Sequence, residues 1–212
     1  MKLRRFLLAS AALAIALAGI DWLGGEIVTS AIAHAPNSDR TLRVDGTRSA
    51  QQPSDAEALV VPVGPPAAEL RAWIVEPARQ VPAAGTIILL HGIRLDHRSL
   101  LGFARRFSEA GYRTVLPDLR GHGSSSGTFM TYGVVESVDV TQLADAIERR
   151  YGRTEFTLFG YSYGGAVAIQ TAARDSRFAA VVAVSTFASL REVVGDYKRR
   201  FFPVLDPVIP MP

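Results

Sequence analysis

Glu155-Phe156-Thr157-Leu158-Phe159-Gly160-Tyr161-Ser162-Tyr163-Gly164-Gly165 is the stretch on which the fold turns. Three fixed positions, Gly160, Ser162 and Gly164, are weak evidence alone, because glycine is common. Their setting supplies the specificity. A β-rich apolar run, Glu155 to Phe159, leads straight into them, and from Tyr163 to Ala173 the chain is apolar almost all round, as a buried helix is. A serine in a tight turn between strand and helix has its hydroxyl thrown above the sheet, and side chains at Gly160 and Gly164 would collide with neighbouring strand and helix. The helix N-terminus leaves N–H groups unpaired and carries a partial positive charge, so an anion developing beside Ser162 would be stabilised there. The competing reading is a glycine-rich helix start with a capping serine.

Upstream, the same alternation recurs. Ala58 to Val63 and Leu70 to Val75 flank Gly64-Pro65-Pro66 and predict a hairpin. Thr86 to Leu90 is a continuous run of Thr, Ile and Leu, the pattern of a strand buried on both faces. Leu100, Phe103, Ala104, Phe107 and Ala110 recur at helical spacing, with Gly111 placed to stop that helix. Arg113 to Leu116 predicts another strand. Val140, Leu143, Ala144, Ile147 and Tyr151 predict a second amphipathic helix, and Phe178 to Val184 a last strand. Strands alternating with helices of this length build βαβ units, so the fold class is α/β with a mainly parallel sheet flanked by helices.

Two loops join the serine as candidate site elements. His91-Gly92-Ile93 follows the buried strand, where a second N–H donor would complete an oxyanion hole. Ile93 is placed to give it through its backbone, beside the N–H of Tyr163. His91 reads as a structural ring that bonds backbone and holds the loop. Asp118-Leu119-Arg120-Gly121-His122-Gly123-Ser124 follows the next strand; Asp118 and Arg120 are expected to pair and fix it. No Gly-Lys-Ser/Thr follows, which argues against a phosphate-cradling loop. His122 reads as a loop residue, and Asp139 and Asp145 as solvated helix charges. No second ligand stands at zinc spacing from His34 or His97, so no metal is expected, and no cofactor.

Composition narrows the function classes. The 212 residues are 48% hydrophobic and 20% charged, the balance of one globular domain. Removing Lys2, Arg4 and Arg5 from the 23 basic residues, and Asp21 and Glu26 from the 20 acidic ones, leaves a balance of +2, no footprint for nucleic acid. There is no cysteine, hence no disulfide, thiol nucleophile or cysteine zinc site. Residues 1–33, a basic start followed by the apolar run Phe6 to Ile20, read as a secretory signal peptide or an N-terminal anchor, implying export and membrane contact through that segment. Residues 34–57, polar and poor in large apolar side chains, read as a linker, and 58–212 as the folded domain.

Taken as a set, His91-Gly92, Asp118-Leu119-Arg120-Gly121-His122-Gly123-Ser124 and Gly160-Tyr161-Ser162-Tyr163-Gly164-Gly165 resemble the α/β-hydrolase superfamily, in particular its bacterial branch around the serine aminopeptidase S33 and monoglyceride-lipase-like hydrolases. The resemblance runs from about Ala58 to Leu190. It implies an eight-stranded sheet, Ser162 as nucleophile, and hydrolysis of an ester, thioester or amide of a small-molecule acyl substrate. It also implies an acid and a histidine after the serine. All four histidines (His34, His91, His97, His122) precede Ser162, and Glu192 and Asp196 read as solvated helix charges. The expectation is an α/β-hydrolase domain incomplete at its C-terminus, with its last two strands, catalytic acid and histidine absent and its last strand exposed. A non-catalytic remnant acting as a binding module, and an acyltransferase, are the alternatives.

Overall fold

The structure, a computed structural model, describes residues 33–34, 55–78 and 82–201. The signal or anchor segment before Ala33, most of the linker, and residues 202–212 lie outside them. Among the described residues no helix is long and apolar enough to cross a membrane.

Six strands form one sheet in the order β1-β2-β4-β3-β5-β6: β1 (Ala56–Val63), β2 (Ala68–Val75), β3 (Thr86–Leu90), β4 (Arg113–Pro117), β5 (Phe156–Tyr161) and β6 (Phe178–Val184). The hairpin expected around Gly64 is present, with Val63 opposite Ala68. β2 runs antiparallel to β4, and β3, β4, β5 and β6 are mutually parallel. A short 3-10 turn, His97–Leu100, precedes α1 (Leu101–Glu109); α2 (Glu136–Tyr151) and α3 (Tyr163–Arg174) follow β4 and β5. Gly111, with φ of 93°, stands just beyond the end of α1 and donates its N–H to the Ser108 carbonyl, the stop signal read in the sequence.

Crossover handedness places the layers. The step from β3 to β4 moves one way along the sheet, whereas β4 to β5 and β5 to β6 move the other way. Right-handed crossovers therefore put α1 on one face and α2 and α3 on the opposite face. The cores follow. Trp73, Val75, Ile87, Leu89 and Phe159 pack with Leu100 and Ala104 on the α1 side. The alternate residues Ile74, Ile88, Leu90, Phe156 and Leu158 pack with Val140, Leu143, Ile147 and Val167 on the other. β3 is buried along its whole length, as its unbroken apolar run requires. α3 is buried over its first two turns, but Ile169 is 48% exposed, so the all-round apolar helix is covered only where it enters the sheet. β6 is an edge of the described sheet, and Val182 and Val184 are exposed there.

From Arg191 the chain belongs to a separate compact unit, whose described residues are 33–34 and those of α4 (Leu190–Phe201) past its first. Reversal of direction after β4 brings the carboxyl ends of β3, β4 and β5 side by side. Open α/β sheets bind their ligands at such a point.

Candidate active site

Ser162 has φ of 52° and ψ of −113°, outside the regions that side chains favour, a strain worth about 1–3 kcal/mol. Neighbours impose it. Its N–H donates to the Val184 carbonyl of β6 at 2.8 Å, and its own carbonyl accepts from Gly165 and Ala166 at 3.0 and 3.3 Å, closing the first turn of α3. Its side chain makes no capping bond to the helix. That disposes of the capping-serine reading, since a cap is defined by that bond. The glycines are there for space. A Cβ at Gly160 would strike the Gly164 carbonyl and lie 2.6 Å from Gly165 Cα; one at Gly164 would strike the Leu90 carbonyl.

The loop after β3 is pinned at both ends. The His91 ring is fully buried, and its Nε2 accepts the Leu119 N–H at 3.0 Å. A backbone N–H can only donate, so Nδ1 carries the hydrogen and donates to the Gly92 carbonyl at 2.8 Å. Burial, helped by His122, holds the pKa of His91 down to about 4. The structural role expected for His91 fits this geometry. At the far end, His97 donates both its N–H and Nδ1–H to Asp118 Oδ1, at 2.9 and 2.7 Å. Between the pins Ile93 is half-buried and Arg94 adopts φ of 59°. Tyr163 N–H stands in the first turn of α3, where the helix supplies no acceptor.

The expected Asp118–Arg120 pair does not form. Asp118 is fully buried and holds His97 with one oxygen and the Ser124 N–H, at 2.7 Å, with the other. Arg120 points away, into a two-bond pair with Asp139, Nε and Nη2 to the two carboxylate oxygens at 2.7 Å each. Asp139 is therefore no solvated charge; its side chain is 1% exposed, and burial pushes its carboxyl above the usual range against the pull of Arg120. Asp145 is closer to expectation, part exposed and paired with Arg177. Glu136, also fully buried, accepts from Thr131 N–H and Oγ1–H at 2.7 and 2.5 Å and from Gly133 N–H at 2.8 Å. His122 is a core residue rather than a surface loop residue, fully buried against His91 and Tyr163. A signal for Glu136 and Asp139 existed. Carrying the stripe Ile147, Leu143, Val140 back one turn reaches both, so they had to be buried and satisfied.

His91, His97 and His122 are thus committed to backbone or to Asp118, and none is hydrogen-bonded to Ser162. Among the described residues no cluster of three His, Cys, Asp or Glu side chains could hold a metal ion.

The neutral buried His91 has a consequence for stability. The unfolded chain takes up its proton near pH 6.5 and the folded one near 4, so the unfolded state binds more protons between them. Stability is complete above about pH 6.5 and falls as the pH drops toward about 4, by about 2 kcal/mol at pH 5. His122, also lowered, acts in the same direction; Asp139, raised, acts in the opposite one within the carboxylate range. Urea unfolding midpoints at pH 7 and pH 5 test this, and equal midpoints contradict it.

Residues 81–211 match the family described as serine aminopeptidase, S33. The chain is 31% identical over 110 residues to an uncharacterised 31.7 kDa protein of Escherichia coli, 48% of this chain and 37% of that one. It is 30% identical over 121 residues to the quorum-quenching protein AidA of Acinetobacter baumannii, 55% of this chain and 40% of that one. It thus spans about two fifths of the length of these curated relatives. Among solved structures, the Pyrococcus furiosus esterase Pf2001 superposes with a TM-score of 0.59 at 22% identity, over 71% of this chain and 56% of that one. XC6422 from Xanthomonas campestris, a serine hydrolase without a lid, does so with 0.53 at 22%, over 62% and 61%. The strand order, the elbow at Ser162 and the family match agree, and the chain belongs to the serine aminopeptidase S33 family, with the α/β-hydrolase fold.

Proposed function

We propose that this protein is an exported serine hydrolase that cleaves an ester, thioester or amide through an acyl-enzyme on Ser162. The observation that carries the reading is the strained backbone of Ser162, maintained at a residue whose hydroxyl does no capping work. In the proposed reaction Ser162 Oγ attacks the carbonyl carbon and gives up its proton, and the oxyanion is held by the N–H groups of Ile93 and Tyr163. The carbon–leaving-group bond breaks as the leaving group takes the proton; water then releases the acid and restores the serine. In the structure His91, His97 and His122 are bonded to backbone or to Asp118, and the proton acceptor's part is assigned to none of them. Export rests on the basic-apolar order of the first residues, and leaves a cleaved signal and a retained anchor as the two forms to distinguish.

A fluorophosphonate probe applied to the gene's full product should modify Ser162, read by peptide mass spectrometry. A folded full product left unmodified would sink the proposal. A second reading, a non-catalytic binding module, is favoured by the bonds that commit the three core histidines of the described residues to backbone or to Asp118. It predicts no turnover of any acyl ester by the full product.

A further inference from the structure

The two proposed oxyanion donors come from different strands: Ile93 follows β3 and Tyr163 follows β5. The two segments meet backbone to backbone at Gly164, where an added Cβ would strike the Leu90 carbonyl, and a second contact runs between their side chains. That second contact is made by His122, a titratable ring that the proposed reaction does not use. It is fully buried and in ring contact with both sides, 5.0 Å from His91 and 5.4 Å from Tyr163, centroid to centroid. His91 holds the Gly92 carbonyl, on the residue immediately before Ile93. Tyr163 carries the other donor on its own backbone, and its ring is met edge-on by Tyr132 at 5.6 Å. The column His91, His122, Tyr163, Tyr132 therefore spans the two donor segments without a gap.

His122 is itself fixed. Its Nδ1 lies 3.0 Å from the Arg120 carbonyl, which can only accept, so Nδ1 carries the hydrogen and the neutral ring is oriented by that bond. Arg120 is anchored by its two bonds to Asp139. The other nitrogen, Nε2, is buried without a hydrogen-bond partner. A leucine or phenylalanine would fill the site without that unsatisfied atom. Packing alone therefore does not account for a histidine here; the oriented Nδ1 bond does.

We infer that His122 is a positioning residue that, together with the Gly164 backbone contact, sets the relative placement of the Ile93 and Tyr163 N–H groups, an inference that rests on the acyl-enzyme reading above. The test is made on the gene's full product with p-nitrophenyl acetate and p-nitrophenyl thionoacetate, in which sulfur replaces the carbonyl oxygen. An aligned pair of N–H donors favours the oxyanion over the larger sulfur anion, so the oxygen-to-sulfur ratio of kcat reports donor spacing and not mere foldedness. His122→Ala should lower kcat for the oxygen ester by about 10–100-fold, the effect of misplacing donors by up to about an ångström, with KM changed less than about twofold and the ratio reduced. His122→Phe keeps the ring and loses the oriented bond, and should fall between His122→Ala and the unaltered enzyme. A folded His122→Ala enzyme with kcat within twofold of normal, or with lowered kcat and an unchanged ratio, overturns the inference. Should His122→Ala not fold, His122→Phe decides it by the same ratio. An unaltered product without esterase activity or probe labelling overturns the acyl-enzyme reading and this inference together, whereas labelling with an unmoved ratio removes the inference alone.

Discussion

Asp139→Ala is expected to destabilise the domain by about 3–5 kcal/mol, the cost of leaving one member of a buried ion pair without its partner. The Arg120 and Asp139 side chains are 4% and 1% exposed, so removing the carboxylate leaves a guanidinium at a buried position without its partner. A guanidinium cannot escape by giving up its proton. The reciprocal change, Arg120→Met, leaves a carboxylate that burial already pushes up and that Glu136 pushes further. Asp139 can then take up a proton. Its folded pKa stands above its unfolded one, so the folded state binds more protons and the loss shrinks as the pH falls. Arg120→Met should therefore recover part of its stability, relative to the unaltered protein, between pH 7 and pH 5, and Asp139→Ala should not. The double change Arg120→Met with Asp139→Leu should cost less than either single one. Urea midpoints for the four proteins at both pH values check the set. A loss below 1 kcal/mol in Asp139→Ala, or the same pH response in both single variants, contradicts it.

Gly164→Ala is expected to be worse, more than about 4 kcal/mol, a range that single substitutions seldom reach. The added methyl would strike the Leu90 carbonyl and sit 2.6 Å from the His91 carbonyl oxygen. Both belong to the end of the fully buried β3 and to the loop it launches, where no side chain can turn aside. The start of α3 would have to leave the sheet, taking Ser162 with it. Gly165→Ala meets Thr186 Cβ at 2.8 Å instead, a side chain in the loop after β6, and should cost about 1–3 kcal/mol, the usual range for overpacking. Gly102→Ala, with nothing within 4 Å and a helical position in α1, serves as the control and should be neutral or gain up to about 1 kcal/mol. Expression in soluble form and thermal midpoints separate the three. A soluble Gly164→Ala protein as stable as the control would mean that the elbow is not packed against β3 as described.

The scaffold was legible because its signals are local. The unbroken run of β3, the hairpin turn at Gly64-Pro65-Pro66 and the helix stop at Gly111 each reflect a period or a steric demand written within a few residues. The elbow was legible for the same reason, since its glycines answer collisions within one turn. The ionic interior was not. Asp118 finds its partner in His97, 21 positions away, and Arg120 finds Asp139, 19 away. Nearness in sequence made Asp118 and Arg120 look like a pair, but both lie in the loop beyond the end of β4, and each is taken by a partner from elsewhere in the chain. His122 escaped because burial of a loop ring depends on what folds over it, here Tyr163 from the start of α3. Asp139 was misread by giving its charge more weight than its place on the apolar stripe.

The bond from Ser162 N–H to the Val184 carbonyl carries a consequence in time. A ribosome delivers the Gly160–Gly164 segment before it delivers β6. Until that strand has docked beside β5, the serine has the right neighbours in sequence but lacks the acceptor that helps to hold its backbone in so unfavourable a conformation. The strained geometry is thus a late event in the life of each molecule, set only when β6 arrives, and a nascent chain halted before Val184 would carry the motif without the shape that gives the motif its meaning.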